Sequence, residues 1–493
     1  MSERVENAFQ RFVQGTALIF VGDLLGAGSS FVLRLGAARY LGPSNYGIIV
    51  LGITIVEVVS IVALLGLPEG VARNLGRIDD DELYLPLLTS ILLAGIFAGG
   101  LVLLSDQIVS LFDEPEFHPV LLIFAAALPF VVVTQLLVGI FRGLEKSTWR
   151  VIVQNILYQT GTGVLVGIGI VLGASTSGIT YSWLVAPFVA TLVGTSFLYS
   201  RTTILDFDGF TRSIGELPSL ALLSFSLPLM VSRGLWSLMQ QSDNFLLGYF
   251  ISSSVVGLYD AAFTISSVLL VIHTAIGFLF LPIFSELAAA EDIDDMDEFY
   301  KLVTKWMVLI SLPIYCLILA FPHAILSLTF GAEYQSSTDL LLLISTGFFI
   351  HLVFGINEHG LIAIGRTGTI LRGNIICLSM NLLLNVLLIP SIGALGAALA
   401  SVSAYTLINV YWTARLFSFS GVFPLSKSTT KVLVLCFLAF FGPLTLLESL
   451  FGLSIETLFL FMIVFPILYG AVLFVHIEPT EARFLRVITE RYT

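Results

Sequence analysis

The sequence is poor in charged residues, which make up 11% of its 493 residues, against roughly 25% in an ordinary soluble domain. Hydrophobic residues make up 57%, and the mean hydropathy is +0.99. A soluble protein needs a polar surface over its core, so this balance excludes a soluble enzyme and a nucleic-acid binder. Because about 20 apolar residues cross a bilayer as one helix, the composition predicts an all-α polytopic membrane protein.

Lysine and cysteine are scarce, with five and three residues respectively. No lysine follows a glycine, as it would in the phosphate-binding loop of an ATP-driven pump; the preceding residues are Glu145, Tyr300, Thr304, Ser426 and Thr430. The cysteines lie in apolar runs, which predicts buried thiols and no disulfide framework. They are Cys316, Cys377 and Cys436.

Acidic residues outnumber basic ones by 34 to 22, so the net charge is −12. Two acidic runs, at 79–82 and 291–298, are interpreted as solvated loops. Acidic loops with few lysines resemble the composition of proteins from salt-loving archaea.

Breaks at charges, proline and glycine predict about fourteen membrane spans. They lie near 13–36, 45–67, 83–104, 119–141, 151–172, 179–200, 218–242, 256–284, 303–324, 338–363, 368–389, 394–415, 431–449 and 455–476. Cytoplasmic connections carry an excess of Lys and Arg, and here 19 of the 22 basic residues fall in alternate connections or at the ends of the chain. Both termini are therefore predicted to be cytoplasmic, and three arginines are left over inside or beside spans.

A weak internal repeat suggests two homologous bundles. The segment YLGPSNYG at 40–47 resembles FISSSVVG at 250–257, an offset of 210 residues, and two further weak matches follow in the same order. Parallel repeats leave a central cleft where a substrate binds. The predicted organisation is a six-helix lobe over 1–210, a second over 211–425, and a final helix pair with a tail over 426–493.

Several motifs in order resemble a known family. LRLGAARYLGPSNYGIIVLG (33–52), LLGLPEGVAR (64–73), SFSLPLM (224–230), DNFLLGYF (243–250) and GALGAALA (393–400) are similar to segments of polysaccharide transporters. These form the oligosaccharide-flippase branch of the multidrug/oligosaccharidyl-lipid/polysaccharide exporter superfamily. The resemblance implies a multi-pass protein of the cell membrane that moves a lipid-linked glycan from the cytoplasmic to the external leaflet by alternating access.

With the compositional hint of a salt-loving archaeon, the resemblance implies a dolichol-phosphate-linked oligosaccharide for N-glycosylation of a surface-layer protein. The expected partners are this substrate and membrane lipids, with glycan-assembly enzymes as candidate partners. We expect a monomer without a cofactor, and transport without enzyme activity.

The three arginines that topology leaves over are Arg34, Arg39 and Arg233. A lipid-linked glycan carries phosphate, and a planar guanidinium can donate paired hydrogen bonds to it. We therefore predict that Arg34 and Arg233 contact the phosphate, with Arg39 third. The alternative is that each arginine neutralises a nearby acid, for example Arg34 with Glu57.

Carboxylates inside membrane spans are costly and are functional candidates for that reason. Asp23, Glu57, Asp243 and Asp260 are interpreted as ligands of a coupling cation or as charge balance for the arginines.

Two spans carry polar residues at helical spacing. His351, Glu358 and His359 share one predicted face, and Asn374, Asn381 and Asn385 share another. Such side chains bind sugar hydroxyls or join helices, and helix packing is the favoured interpretation. No metal site is expected, because the histidine pair has no further strong ligand at a matching spacing.

Two other functions are open to a chain of this kind. One is a cation-coupled multidrug exporter of the same superfamily, although leftover arginines favour an anionic cargo. The other is a membrane glycosyltransferase, for which Asp206 and Asp208 offer a D-x-D pair. The chain has no large catalytic loop, so this enzyme is disfavoured.

Overall fold

The computed structural model describes residues 3–74, 84–201, 220–290, 293–451 and 455–475. Within these ranges every regular element is a helix. The α-helices are Glu3–Leu64, Leu67–Asn74, Tyr84–Leu103, Ser105–Phe112, Phe117–Gly143, Ser147–Arg150, Gly161–Val171, Thr176–Thr180, Ser182–Arg201, Leu220–Phe250, Ser253–Ser266, Val268–Ala289, Ile293–Ala320, Pro322–Thr329, Thr338–Val353, Asn357–Ala363, Thr367–Ile392, Ala394–Ser420, Lys427–Phe451 and Ile455–Val475. Val151–Thr160 is a π-helix and Ala332–Ser337 a 3₁₀-helix.

Eleven helical stretches in the described ranges are long and apolar enough to cross a membrane. They are Gly22–Leu64, Pro86–Leu103, Phe117–Gly143, Ser147–Val171, Thr176–Tyr199, Val268–Ala289, Ile293–Ala320, Ala332–Ala363, Thr367–Ile392, Ala394–Ser420 and Lys427–Leu450. The protein is therefore a multi-pass membrane protein. The count of fourteen spans and the cytoplasmic termini stay predictions, and the acidic run 79–82, Asp206 and Asp208 lie outside the described residues.

The first helix contains a sharp break that lies between the first two predicted spans. It runs for 62 residues, but Gly42 has φ 73° and ψ 171°, which is outside helical geometry. Pro43 follows, and proline lacks the N–H that a continuous helix would use. The part after the break, residues 43–64, has the length of one membrane helix.

The part of this helix that follows the break contacts the helix Ser253–Ser266 through glycine. A Cβ atom at Gly47 would lie 1.8 Å from the backbone oxygen of Ser253, and one at Gly257 would lie 2.1 Å from that of Pro43. The contact is reciprocal, because positions 43 and 253 differ by 210 residues, as do 47 and 257. Equivalent positions of the two similar segments therefore contact each other.

The polar face predicted across 351–359 is wrong as a single helical face. The helix Thr338–Val353 ends before Phe354, and a new helix begins at Asn357. Gly355 between them has φ 74°, a left-handed conformation that glycine adopts readily. His351 therefore lies on a different helix from Glu358 and His359.

The chain divides into two compact units. The first comprises residues 1–264, 326–337 and 381–397, and the second comprises 265–325, 338–380 and 398–493. In the first unit the helix Phe117–Gly143 is central, since most of its side chains are buried. The division into lobes over 1–210, 211–425 and 426–493 stays a prediction.

Candidate functional site

A cavity of about 770 Å³ lies within the first compact unit. This volume falls in the range of roughly 300 to 1,000 Å³ that is usual for ligand pockets. Five of its lining residues carry charge: Arg34, Glu57, Glu69, Arg142 and Arg150. Charged side chains are costly inside a membrane and are therefore rare there. The convergence of five of them on one cavity indicates a polar ligand.

Amide and aromatic side chains complete the polar part of the wall. Gln154, Tyr158 and Gln159 come from the π-helix Val151–Thr160, a rare form that is often found at functional sites. Trp183 also lines the cavity. Amides can hydrogen-bond hydroxyl groups, and aromatic rings offer an apolar face with a polar edge.

Arg34 is held by a buried carboxylate. Its Nη1 donates to Asp260 Oδ1 at 2.8 Å, and Tyr46 Oη donates to Asp260 Oδ2 at 2.5 Å. The Arg34 side chain is 35% exposed, whereas that of Asp260 is 4% exposed. The alternative interpretation paired Arg34 with Glu57; the structure gives it Asp260, which comes within reach because helix Ser253–Ser266 packs closely at glycine.

Glu57 is bound by an amide instead. Gln241 Nε2 donates to Glu57 Oε2, and Thr54 Oγ1 donates to Gln241 Oε1 at 3.1 Å. The chain Thr54, Gln241, Glu57 joins the first helix to the helix Leu220–Phe250 at the cavity wall. Glu57 therefore presents a carboxylate to the cavity, and no arginine among the described side chains forms an ion pair with it.

Arg150 forms an ion pair with Asp23. Its Nη2 lies 3.0 Å from Asp23 Oδ1 and 3.1 Å from Oδ2, and Asn155 Nδ2 donates to Oδ1 at 3.3 Å. Asp23 and Arg34 each bind a partner on another helix, Arg150 and Asp260 respectively.

Arg142 forms a third pair, with Glu69, at 3.2 Å. Both residues line the cavity. Sequence reasoning missed Arg142 and Arg150, because their positions beside the connection 143–148 already fitted the charge pattern of a cytoplasmic loop. Both arginines lie within the helices that flank this connection, and that position in the sequence could have indicated that they line a cavity.

The other two predicted phosphate contacts lie elsewhere or are not described. Arg39 is exposed, and its Nη1 donates to the backbone oxygen of Leu328 at 2.9 Å, away from the described cavity wall. Arg233 lies in the helix Leu220–Phe250, but its side chain lies outside the described residues. Of the two arginines whose side chains are described, Arg34 lines the cavity and Arg39 does not.

Asp243 meets two of the predicted asparagines. Tyr259 Oη donates to Asp243 Oδ2 at 2.5 Å, and Asn385 and Asn381 donate to Oδ1 at 2.8 and 3.4 Å. Ser242 Oγ donates to Asn381 Oδ1 at 2.7 Å. These buried bonds join helices, which is the packing role that the sequence interpretation favoured.

The remaining predicted polar residues belong to the second compact unit. His351 Nδ1 lies 2.8 Å from Asn409 Nδ2, and the ring centroids of His351 and His359 lie 4.7 and 5.8 Å from that of His273. The other two residues are Glu358 and Asn374. Among the residues that the structure describes, no group of three or more His, Cys, Asp or Glu side chains could hold a metal ion.

Comparison with known families agrees with this architecture. The family model described as polysaccharide biosynthesis protein matches residues 12–288, more than half of the chain. The chain belongs to this family. A second family model, MatE, matches residues 228–387 of this polysaccharide biosynthesis family member.

Two archaeal relatives from Haloferax volcanii align with most of the chain. The "Probable low-salt glycan biosynthesis flippase Agl15" is 24% identical over 411 residues, covering 82% of this chain and 83% of the relative. The "Probable flippase AglR" is 24% identical over 420 residues, covering 81% and 82%. The activities given in these names are those of the two relatives.

A solved structure shows the same fold. The inward closed conformation of the lipid II flippase MurJ superposes with a TM-score of 0.69 at 14% identity, covering 93% of this chain and 98% of MurJ. A multidrug resistance MATE family transporter of the MOP superfamily, in its inward-facing conformation, also superposes, with a TM-score of 0.64 at 18% identity, covering 80% of this chain and 95% of that transporter. The chain thus shares its fold with these solved transporters.

Proposed function

We propose that this protein is a flippase for a lipid-linked glycan, which it moves from the cytoplasmic to the external leaflet. The observation that carries the proposal is the cavity of about 770 Å³ with three arginines in its wall. Guanidinium groups suit a phosphate because each can donate two parallel hydrogen bonds. Glycan and phosphate would lie in the cavity, and the lipid chain would stay in the bilayer.

Each arginine of the cavity wall is paired with a carboxylate. Arg34 binds Asp260, Arg142 binds Glu69, and Arg150 binds Asp23. Leaving such charges unpaired at membrane depth would be costly. A phosphate entering the cavity competes with these carboxylates for the N–H donors, so binding can exchange one set of pairs for another. The exchange at Arg34 would loosen the contact between the first helix and the helix Ser253–Ser266.

The finer parts of the proposal concern the substrate. The names of the two archaeal relatives support a glycan carried on a lipid, and the acidic composition supports an archaeal setting. We propose a dolichol-phosphate carrier and a role in N-glycosylation of a surface-layer protein. Gln154, Gln159 and Trp183 would contact the sugars. Transport of this kind changes the position of the substrate and not its bonds.

A cation-coupled multidrug exporter is the second candidate. The MatE match over residues 228–387 favours it, as does Glu57, a carboxylate in the cavity wall. Such an exporter would confer resistance to cationic drugs, and its loss would leave surface glycans unchanged.

Deletion of the gene tests the proposal directly. Lipid-linked glycan should accumulate on the cytoplasmic leaflet, where impermeant enzymes or lectins added outside do not reach it. External glycosylation that continues at the normal level would contradict a flippase.

Two single variants then test the site. Arg34→Gln should lower flipping by about tenfold or more, because a charge-assisted bond to phosphate contributes about 1.5 to 3 kcal/mol. Arg39→Gln removes the same charge outside the cavity and should retain flipping. Membrane abundance of both variants is measured by immunoblot. Equal activity of the two variants at equal abundance would exclude Arg34 as a phosphate contact.

A further inference from the structure

A long part of the second half of the sequence carries positive charge only. No Asp or Glu occurs between Glu358 and Glu448, although the chain as a whole has a net charge of −12. The five basic residues of this stretch are Arg366, Arg372, Arg415, Lys427 and Lys431. Three successive helices place them at one end, since Thr367–Ile392 begins there, Ala394–Ser420 ends there and Lys427–Phe451 begins there.

Two of these arginines share one aromatic ring within the second compact unit. The Cζ atom of Arg366 lies 4.6 Å from the ring centroid of Phe419, and that of Arg415 lies 5.5 Å from the same centroid. Arg415 Cζ also lies 6.0 Å from the ring of Tyr411. We call Arg366, Arg415, Tyr411 and Phe419 the arginine–aromatic cluster.

Among the described residues, the positive charge of the cluster has no carboxylate as its counter-ion. In the described ranges, no carboxylate forms an ion pair with Arg366, Arg372 or Arg415, whereas Arg34, Arg142 and Arg150 each have one. The Nε atom of Arg415 is buried and has no hydrogen-bond partner. Two guanidinium groups around one ring repel each other, and an exposed cation–π contact offsets only about 0.5 to 1 kcal/mol. An anion bound to both would remove the repulsion and fill the open donor sites.

Exposed apolar side chains lie in and beside the cluster in the sequence. Phe417, Phe419 and Phe423 are 54%, 40% and 44% exposed. An arginine near a helix end can extend its charged head to the membrane–water interface while apolar side chains beside it contact lipid. The helix Thr367–Ile392 begins directly after Arg366, so its positive end faces the same region.

We propose that the arginine–aromatic cluster binds the phosphate headgroup of an anionic membrane lipid. Arg366 and Arg415 donate to the phosphate, and the exposed phenylalanines contact the acyl or glycerol part. This site is separate from the cavity of the first unit, and the lipid is a resident of the membrane and not the transported substrate. The positive-inside rule accounts for basic residues at these helix ends, but not for two arginines that share one ring without a carboxylate.

Native mass spectrometry of the full chain can test the site. The detergent-purified protein is titrated with phosphatidylglycerol, and in parallel with phosphatidylcholine and with inorganic phosphate. We expect phosphatidylglycerol to be retained in preference to both. Arg366→Gln with Arg415→Gln should weaken its retention by about tenfold or more, as expected for the loss of charge-assisted bonds of 1.5 to 3 kcal/mol each.

Two controls separate a built site from surface charge. Lys427→Gln with Lys431→Gln removes the same charge from the same end of the helices and should reduce retention less than twofold. Phe419→Leu keeps both arginines but removes the ring, and should weaken retention severalfold. The proposal is overturned if the arginine and lysine double variants lose retention equally, or if the arginine double variant retains the lipid unchanged. It is also overturned if inorganic phosphate binds as tightly as phosphatidylglycerol. Melting temperatures of all variants show whether each chain is folded.

Discussion

At the scale of single residues, scarcity of charge made the arginines and acids informative. Sequence reasoning identified Arg34 and Asp260 separately, because each is an ion inside an apolar span. Their pairing at 2.8 Å depends on two segments 226 positions apart in the sequence. Local spacing does not specify a contact between segments so far apart. Glu57, an acid nearby in the sequence, was therefore the predicted partner of Arg34.

The Arg34 pair can be tested by a double-mutant cycle. Asp260→Asn should lower the free energy of unfolding by about 1 to 3 kcal/mol, because it leaves the partly buried Arg34 without its carboxylate. Arg34→Gln with Asp260→Asn should cost less than the sum of the two single changes. Thermal unfolding in detergent measures each term. Strictly additive losses would mean that the two side chains do not interact.

At the scale of helices, the contact between Gly47 and Gly257 brings Asp260 to the cavity region. A Cβ atom at either glycine would meet the backbone of the other helix at 1.8 or 2.1 Å. Backbone atoms cannot move aside as a flexible side chain can, so small residues are required where membrane helices approach so closely. The repeat in the sequence marked both segments but not the contact between them.

Gly47→Ala should separate the two helices and destabilise the protein by about 1 to 3 kcal/mol, the usual cost of overpacking. It should also weaken the Arg34 to Asp260 pair and reduce flipping. Gly28→Ala is the matched control in the same helix, since a Cβ atom there meets nothing within 4 Å. Melting temperature and flipping are measured for both. A Gly47→Ala protein as stable and active as the Gly28→Ala protein would contradict the tight crossing.

At the scale of the whole molecule, the distribution of Lys and Arg predicts the orientation. The three native cysteines are buried, so they should react little with a labelling reagent. Ser175 and Thr367 are both exposed, and they fall on opposite predicted sides of the membrane. Ser175→Cys should react with an impermeant maleimide added to intact cells, whereas Thr367→Cys should react only after the membrane is opened. The reverse pattern would invert the predicted topology.

The all-helical membrane fold and the family followed from the sequence alone, because bilayer thickness imposes a length and polarity on every span and the motifs keep their order. Arg34 and Glu57 were predicted as candidate site residues because a charge inside an apolar span is costly. The break at Gly355 and the separation of His351 from His359 were not, since helical periodicity assumes an unbroken helix. Arg142 and Arg150 were assigned to topology, although a residue can both orient a loop and line a cavity.

The sequence by itself determined which charged residues fall inside apolar spans, because span length and local composition place them there whatever their partners. Tertiary structure alone decided the partners: Asp260 for Arg34, Asp23 for Arg150, Glu69 for Arg142, and a shared ring for Arg366 and Arg415. Ion pairs act over a few ångströms, and only the packing of helices brings distant residues that close.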